Sequence, residues 1–197
     1  KAGGPVAKER RAVIVIGYAG AGKSTFIESL AKTYRAAAAD ADVAKTFTKD
    51  YEAGYNTLAV HNESHELRQL AVTPMMARGD NLIFERVGDK AESIIANLAF
   101  LKDEGYSVEL VHINVSPDIA VQRMANRFLD TGRYIEPQFY EQALGKVPQA
   151  FDKALADPRW KGYMEVNADG PLGSHEITRQ GGEAQDLAAA LVQRQPL

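Results

Sequence analysis

The 197-residue chain contains no cysteine, which excludes a disulfide framework, a thiolate metal site and a cysteine nucleophile. It also lacks long hydrophobic runs: no apolar segment approaches the ~20 residues of a membrane-spanning helix, and no signal peptide opens it. Basic residues are in no excess, because the net charge is −3. We therefore expect no membrane partner and no nucleic-acid partner. Because a cysteine-free chain is compatible with a reducing compartment, we expect a cytoplasmic protein.

The remaining composition is that of an ordinary globular domain. Hydrophobic residues make up 45% of the chain and charged residues 25%, and the length suits one domain with a full core. The first eleven residues, KAGGPVAKERR, are charged and contain glycine and proline. We therefore predict a flexible N-terminal arm over residues 1–11 and a single domain over residues 12–197.

Short apolar runs alternate with stretches of helical periodicity along the domain. The run AVIVI at 12–16 is rich in β-branched residues and bounded by glycine, as in a strand buried on both faces. Similar runs follow at 81–85, 107–115 and 163–167, and the last of these is the last strand that we predict. Helical patterns lie between the runs, and a final helix is expected at 183–194. This alternation predicts a three-layer α/β fold, with a central, mainly parallel sheet flanked by helices.

The segment GYAGAGKS at residues 17–24 fits the pattern G-x-x-x-x-G-K-[ST]. It begins where a buried strand ends and runs into a helix, as a phosphate-binding loop requires. Backbone N–H groups would face anionic oxygens, Lys23 would reach the β- and γ-phosphates, and the Ser24 hydroxyl would ligate Mg²⁺. The chain is therefore predicted to bind a nucleoside triphosphate with Mg²⁺. The predicted nucleotide contacts are Gly17, Gly20, Ala21, Gly22, Lys23, Ser24 and Thr25.

Nucleotide binding alone leaves the reaction open. A GTPase usually carries an N-K-x-D motif, which this sequence lacks, and a D-x-x-G motif, for which ERVG at 85–88 is a near miss. A kinase instead needs a base for the acceptor hydroxyl and arginines over the transferring phosphoryl group.

The helix that Pro117 opens supplies candidate arginines. Arg123 and Arg127 are four residues apart, and Arg133 follows in the next link, so the three could form a phosphate clamp. The alternative is a solvated face on which Arg127 pairs with Asp130. The apolar face of this helix, which we expect to pack on the core, carries Val121, Met124, Ala125 and Phe128.

The segment AAAADADVAK at residues 36–45 combines helix-favouring alanines with two aspartates one residue apart. In an extended chain Asp40 and Asp42 point the same way. We predict a short central strand at the alanines, with both aspartates at its carboxyl end, where open α/β sheets bind ligands. The alternative is that both aspartates only cap the following helix.

Taken together, these segments resemble the zeta-toxin family of P-loop kinases. The resemblance covers residues 12–171 and rests, in order, on GYAGAGKST, DADVAK, VHNESHEL, GDNLIFE, LKDEGYSVELVHINVSPDIAVQRMANR and TGRYIEP. It implies a nucleotide-kinase-like fold, ATP and Mg²⁺ at the phosphate loop, and phosphorylation of a hydroxyl of UDP-N-acetylglucosamine. It also implies an antitoxin or immunity protein that blocks the nucleotide site. The expected location is then the bacterial cytosol or, for a secreted effector, the host cytosol.

Carried over by position, the resemblance makes Asp42 the catalytic base and, with Ser24, a ligand of the metal. Lys23 becomes the lysine of the phosphate loop, and Arg127 and Arg133 become the clamp on the transferring phosphoryl group. Asp40 is expected to support the base or the metal shell. The side chains expected to contact the acceptor are Asp40, His61, Glu63, Glu85, Arg86 and Arg123.

One departure from the family concerns the residues after the third strand. Where the family commonly has acidic-Gly-Thr, with the threonine touching the sugar nucleotide, this chain has Glu85, Arg86 and Val87. Valine cannot make that hydrogen bond, and a buried polar group left unpaired costs about 1–3 kcal/mol. Arg86 adds a cation that could meet a phosphate of another acceptor. NAD or another nucleoside-type acceptor therefore stays open, as do a GTPase-like switch and a nucleotide-binding interaction module with little catalysis.

Overall fold

The structure is a computed structural model, and the residues that it describes are 5–39, 72–132, 134–135, 137–171 and 173–192. Six strands form one sheet in the order β2-β3-β1-β4-β5-β6, with bounds β1 Arg11–Ile16, β2 Ala37–Ala39, β3 Leu82–Arg86, β4 Ser107–Asn114, β5 Gly162–Asn167 and β6 Glu176–Gly182. The helices with given bounds are α1 Lys23–Thr33, α2 Ala91–Asp103, α3 Pro117–Thr131, α4 Pro137–Ala143, α5 Lys146–Ala154 and α6 Gln185–Val192. Residues 72–78 are helical as well.

β1 lies in the middle of the sheet because it is apolar on both faces. Every residue from Ala12 to Ile16 is buried, as expected for a strand of a parallel sheet covered on both sides. The register aligns Ile16 with Arg86 of β3 and with His112 of β4. The parallel strands therefore end together, and the loops that follow them meet at one edge, called the carboxyl edge below. The opposite edge is called the amino edge.

Helices cover both faces of the sheet. α1 and α6 pack together on one face, and α2 and α5 pack together on the other. Three of these helices bury large side chains, namely Phe26 and Leu30 on α1, Leu98 on α2 and Phe151 on α5. Burying one such side chain contributes about 1.5–3 kcal/mol. The predicted three-layer α/β fold with a mainly parallel sheet is confirmed.

At the amino edge, the side-chain amide of Asn81 makes four hydrogen bonds to protein groups. Its side chain is fully buried, and its Oδ1 accepts hydrogen bonds from the backbone N–H groups of Glu9 and Arg11, both at 3.1 Å. Its Nδ2 donates to Glu9 Oε2 at 2.9 Å and to the carbonyl oxygen of Tyr34 at 2.8 Å. One amide thereby joins the residues before β1, the end of α1 and the start of β3.

An ion cluster lies at the same edge. Arg11 Nη2 is 3.3 Å from Glu109 Oε2 and 2.7 Å from Asp186 Oδ2, and the Arg11 guanidinium lies 4.3 Å from the centroid of the Tyr34 ring. The Glu109 side chain is fully buried, and burial raises its pKa even though Tyr34 and Arg11 both act to lower it. Protein groups alone therefore cover this carboxylate.

The prediction that 163–167 is the last strand is wrong, because β6 follows β5 and pairs with it antiparallel. β6 has no continuous apolar run, and six of its seven residues are exposed. The hydrogen bonds to β5 hold it extended, and its own sequence pattern gives no sign of them.

The prediction that one face of α3 packs on the core holds only in part, because Met124 is partly buried and packs against the core, whereas the other predicted residues do not. Val121 is 50% exposed, Phe128 is 38% exposed, and Ala125 is exposed as well. Ala120 is the one buried residue of this helix. Helical periodicity finds an apolar face but cannot say whether another element covers it.

Part of the predicted N-terminal arm is bonded to the domain. The Ala7 side chain is buried, its backbone N–H donates to the carbonyl oxygen of Arg35 at 2.8 Å, and its carbonyl oxygen accepts from the backbone N–H of Asn81 at 2.7 Å. The described chain from Ala7 onward therefore packs with the domain. Within the described residues, no helix is long and apolar enough to span a membrane.

Candidate active site

The predicted phosphate loop connects the end of β1 to the start of α1 at the carboxyl edge. Gly20 and Gly22 have φ angles of 80° and 86°, a left-handed conformation that glycine adopts without strain. A Cβ atom on Gly20 would lie 2.5 Å from the carbonyl oxygen of Ala120. The loop thus presses directly on the backbone of α3, and only glycine fits at this position. Its path leads into the N-terminus of α1, where N–H groups favour an anion.

Lys23, the first residue of α1, folds back over this loop. Its Nζ donates hydrogen bonds to the carbonyl oxygens of Gly17 at 2.7 Å and Tyr18 at 3.1 Å. The same atom is 3.6 Å from Oε1 of Glu85, near the end of β3. A cation from the start of α1 and a carboxylate from β3 therefore meet where the phosphates of a nucleotide are expected.

Tyr18 anchors the loop to the end of β4. Its hydroxyl donates to the carbonyl oxygen of Val115 at 2.8 Å and lies 3.1 Å from Asn114 Oδ1. Burial raises the pKa of Tyr18, so the hydroxyl remains a donor over the physiological range. Its ring packs edge-on against Tyr140 of α4 at 5.8 Å. The sequence analysis missed this role, because the pattern G-x-x-x-x-G-K-[ST] allows any residue at position 18.

Arg123 of α3 ties the phosphate loop to the segment after β5. Its Nη2 donates to the carbonyl oxygens of Ala168 at 2.7 Å and Gly170 at 2.9 Å, and its Nη1 lies 3.5 Å from the carbonyl oxygen of Gly20. The guanidinium is thus engaged by three backbone carbonyl groups. The acceptor contact expected for Arg123 stays a prediction.

Asp169 fixes the same segment from its other side. Its Oδ1 accepts from the backbone N–H of Ser116 at 2.5 Å, and its own N–H donates to Asn167 Oδ1 at 2.7 Å. The hydrogen bond from Ser116 is the main reason why the pKa of Asp169 is lowered. The loops after β4 and β5 are therefore joined beside the phosphate loop.

Glu85 and Arg86 project to opposite faces of the sheet. Glu85 meets Lys23 on the α1 face, whereas Nη2 of Arg86 lies 3.4 Å from Oδ1 of Asn97 on α2. The following residue, Val87, accepts a hydrogen bond from the N–H of Gly17 at 3.1 Å. The segment after β3 is thereby fixed to the first residue of the phosphate loop.

The site offers few protein ligands for a metal. Within the described ranges, no three histidine, aspartate or glutamate side chains cluster as in a protein metal centre. Mg²⁺ at a phosphate site is usually held by one or two protein oxygens together with phosphates and water. The Ser24 hydroxyl, exposed at the start of α1, and the Glu85 carboxylate beside Lys23 fit this limited demand.

Several predicted residues can be placed and others cannot. Arg127 lies exposed on α3, one turn beyond Arg123. The structure brings together the phosphate loop, Glu85 and Arg123. Five predicted site residues lie outside the described residues, namely Asp40, Asp42, His61, Glu63 and Arg133.

The strand order, the phosphate loop and the flanking helices define a P-loop kinase fold. Solved structures share it. A structure of the PezAT chromosomal toxin–antitoxin system of Streptococcus pneumoniae matches 98% of this chain and 83% of its own, with a TM-score of 0.75 and 17% identity. The complex of AvrRxo1-ORF1 and AvrRxo1-ORF2 with ATP matches 96% and 65%, with a TM-score of 0.67 and 15% identity. Shikimate kinase from Acinetobacter baumannii, in complex with shikimate, matches 94% and 93%, with a TM-score of 0.52 and 18% identity.

Sequence comparison identifies the family within this fold. The chain matches the Zeta toxin family over residues 4–163 and belongs to it. No curated protein sequence matches the chain. The fold class and the family resemblance predicted from the sequence are both confirmed.

Proposed function

We propose that this protein is an ATP-dependent kinase of the zeta-toxin type, which phosphorylates a hydroxyl of a nucleotide-containing metabolite. The observation that carries the proposal is the phosphate loop whose Lys23 Nζ lies 3.6 Å from Glu85 in the middle of the carboxyl edge. Membership of the Zeta toxin family and the kinase-like fold support an ATP-dependent phosphotransferase. The acceptor and the residue roles below are part of the proposal.

In the proposed reaction the acceptor oxygen bonds to the γ-phosphorus, and the bond from that phosphorus to the oxygen bridging to the β-phosphorus breaks. ADP leaves, and the proton of the acceptor hydroxyl passes to Asp42. Lys23, Arg127 and Arg133 offset the charge of the transferring group, where one such arginine is worth roughly 10³–10⁵ in rate. Mg²⁺, when bound, neutralises phosphate charge. Ser24 and Asp42 would hold it, and the Glu85 carboxylate beside Lys23 is a further candidate ligand.

The acceptor that the family suggests is a sugar nucleotide of the UDP-N-acetylglucosamine type. Val87 weighs against it, since its side chain offers no hydrogen bond where the family has threonine. NAD, with its ribose hydroxyl groups, is the second acceptor that we propose to test. Mass spectrometry of a metabolite panel with UDP-sugars and NAD, after incubation with ATP, would identify the acceptor as the species that gains one phosphate.

Two variants test the residue roles. Lys23→Ala and Asp42→Ala should each abolish the phosphorylated product, while Asp42→Ala should still bind ATP. Full transfer by Asp42→Ala would refute its role as base. ATP binding by the wild type without any new phosphorylated species would favour a nucleotide-binding interaction module instead. Preference for GTP over ATP, with hydrolysis alone, would favour a GTPase-like switch.

We further propose an antitoxin or immunity partner that blocks the nucleotide site. Support comes from two similar structures, one of a toxin–antitoxin system and one of a complex between two proteins, AvrRxo1-ORF1 and AvrRxo1-ORF2. Expression of the wild type in a bacterium should arrest growth, expression of Lys23→Ala should not, and co-expression of a partner that blocks ATP binding should restore growth. Equal growth with wild type and variant would contradict this proposal.

A further inference from the structure

Arg86 lines a cavity of about 130 Å³ on the α2 face of the sheet. Its floor is apolar and includes Ile14 and Ile94. Its polar lining consists of two cations, Arg86 and Lys90, one carboxylate, Asp89, and the side chains of Ser93 and Asn97. A water molecule occupies about 30 Å³ in the liquid. The cavity therefore has room for a phosphate or carboxylate group with water.

Among the described residues, the guanidinium of Arg86 has one hydrogen-bond partner and no paired carboxylate. Its one hydrogen bond with a described residue is the long contact of 3.4 Å to Asn97 Oδ1. In the part of the chain that the structure describes, no carboxylate lies within 4.0 Å of it. By contrast, the arginines at 11, 78, 159 and 179 each have a carboxylate oxygen at 2.5–2.7 Å. A half-buried guanidinium with five donors is best satisfied by an anion.

Asn97 is set up to direct this guanidinium. Its Nδ2 donates to the carbonyl oxygen of Ser93 at 2.6 Å, which leaves Oδ1 as the atom that faces Arg86. The amide is thereby fixed by its own helix. Among the described residues only Asn97 bonds to the Arg86 guanidinium, and a ligand in the cavity would meet its remaining N–H groups.

The cavity borders the phosphate loop. Val87 and Gly88 form part of its wall, and Val87 is hydrogen-bonded to Gly17, the first residue of that loop. In-line transfer places the acceptor and the departing ADP on opposite sides of the γ-phosphate. Glu85 and Arg86, two of the residues expected to contact the acceptor, are the last two residues of β3. The cavity is lined by Arg86 and by the segment that follows it.

We propose that this cavity binds an oxyanion group, a phosphate or carboxylate, of the phosphoryl acceptor, with Arg86 as its main contact and Ser93 as a further donor. The inference rests on the proposed kinase function. It assigns the acceptor to the anionic metabolites, and it makes Arg86 a specificity-determining residue where the family commonly has glycine.

The first experiment tests the site without activity. Inorganic phosphate is titrated into ¹⁵N-labelled protein that is saturated with Mg-ADP, so that the phosphate loop is already filled. Saturable amide shifts at Gly88, Ser93 and Asn97 are expected for the wild type and for the control variant Arg159→Gln, and their loss is expected for Arg86→Gln. Shifts that do not saturate, or that persist in Arg86→Gln, would overturn the proposal.

The second experiment tests the link to the reaction, with the acceptor found in the metabolite panel. Arg86→Gln should raise the KM for the acceptor at least 10-fold and leave the KM for ATP within 2-fold, and Arg86→Lys should restore part of the loss. An unchanged acceptor KM in a variant that no longer binds phosphate would place the site outside the reaction and overturn the proposal. If the wild type yields no phosphorylated product, the kinase function and the acceptor role both fail, while saturable phosphate binding would still establish the anion site.

Discussion

The two edges of the sheet treat polar groups in opposite ways. At the amino edge, Asn81 makes four hydrogen bonds to protein groups, and Arg11 is paired with two carboxylates. At the carboxyl edge, Lys23 bonds to its own loop and lies 3.6 Å from Glu85. There, Arg86 borders a cavity and has one long hydrogen bond to a described residue.

The difference separates structural polar groups from functional ones. A buried polar group whose hydrogen bonds are all made within the protein serves stability, because losing one partner leaves the other unsatisfied. Cations held by backbone carbonyl groups, or beside a cavity, keep their affinity for an anionic ligand. Substitutions at the amino edge should therefore reduce stability, and those at the carboxyl edge should reduce activity or ligand binding.

The largest effect is expected at the carboxyl edge. Lys23→Ala should lower the rate of phosphoryl transfer by about 10²- to 10³-fold or more, because it removes a preorganised charge from the developing transition state. The variant also loses two hydrogen bonds to backbone carbonyl groups, but its loss of stability should stay smaller than that of Asn81→Ala. Lys32→Ala, on the last turn of the same helix, is the control and should keep wild-type activity. A Lys23→Ala variant that loses its fold along with its activity would contradict the proposed difference between the two edges.

The next effect is expected at the amino edge. Asn81→Ala should lower the free energy of unfolding by about 2–4 kcal/mol, because several buried backbone groups lose their partner at once. Urea denaturation measures this change. Asn126→Ala, at an exposed position of α3, should stay within about 0.5 kcal/mol of the wild type. If Asn81→Ala also changed the free energy of unfolding by no more than about 0.5 kcal/mol, the Asn81 amide would not be what stabilises the amino edge.

Arg123→Ala sharpens the comparison, since this arginine belongs to the carboxyl edge but is engaged by backbone carbonyl groups. Hydrogen bonds to a charged group are worth about 1.5–3 kcal/mol, so we expect a loss of stability of that order together with roughly 10-fold weaker ATP binding. Isothermal titration calorimetry with ATP and thermal unfolding measure the two. A rise in the acceptor KM alone, with ATP binding unchanged, would instead assign Arg123 to the acceptor.

The smallest effect concerns the pH dependence of stability at the amino edge. Burial raises the pKa of Glu109, so its protonated form is favoured by folding. The stability that this provides is complete below the unfolded pKa near 4.5 and is lost as the pH rises through the folded pKa. Glu109→Gln removes this dependence on pH. Between pH 4 and pH 8 the free energy of unfolding of the variant should therefore rise, relative to that of the wild type, by on the order of 1 kcal/mol.

Calorimetric melting temperatures across this pH range test the Glu109 prediction. Glu104→Gln, at an exposed position, is the control and should follow the wild type. A Glu109→Gln variant that loses stability relative to the wild type as the pH rises would show that Arg11 more than offsets the cost of burial.

Most strands were predictable because burial leaves a signal in the sequence itself. β1, β3, β4 and β5 begin and end within one residue of their predicted bounds. β1 is a continuous apolar run buried on both faces, whereas β5 alternates between buried and half-buried residues. β6 left no such signal, because it is exposed and depends on its pairing with β5. In α3 the sequence pattern predicts more burial than the structure shows. The helix is amphipathic, yet Val121 and Phe128 on its apolar face remain exposed.

The sequence by itself determined the phosphate loop. Its glycines, Lys23 and Ser24 lie within eight residues. A segment this short can close around an anion through local backbone geometry alone. The same holds for the strand–loop–helix order in which it is set. The kinase class followed from these local features and from the order of the motifs.

Only the tertiary structure decided what surrounds that loop. Arg123 reaches the carbonyl group of Gly20 across 103 positions of the chain, and Glu85 reaches Lys23 from another strand. Strand order places β3 beside β1, so that Glu85 meets Lys23 on the α1 face, and the alternation of side chains along β3 puts Arg86 beside the cavity on the α2 face. Sequence patterns record the periodicity of one element at a time, whereas these contacts depend on which elements the sheet makes neighbours.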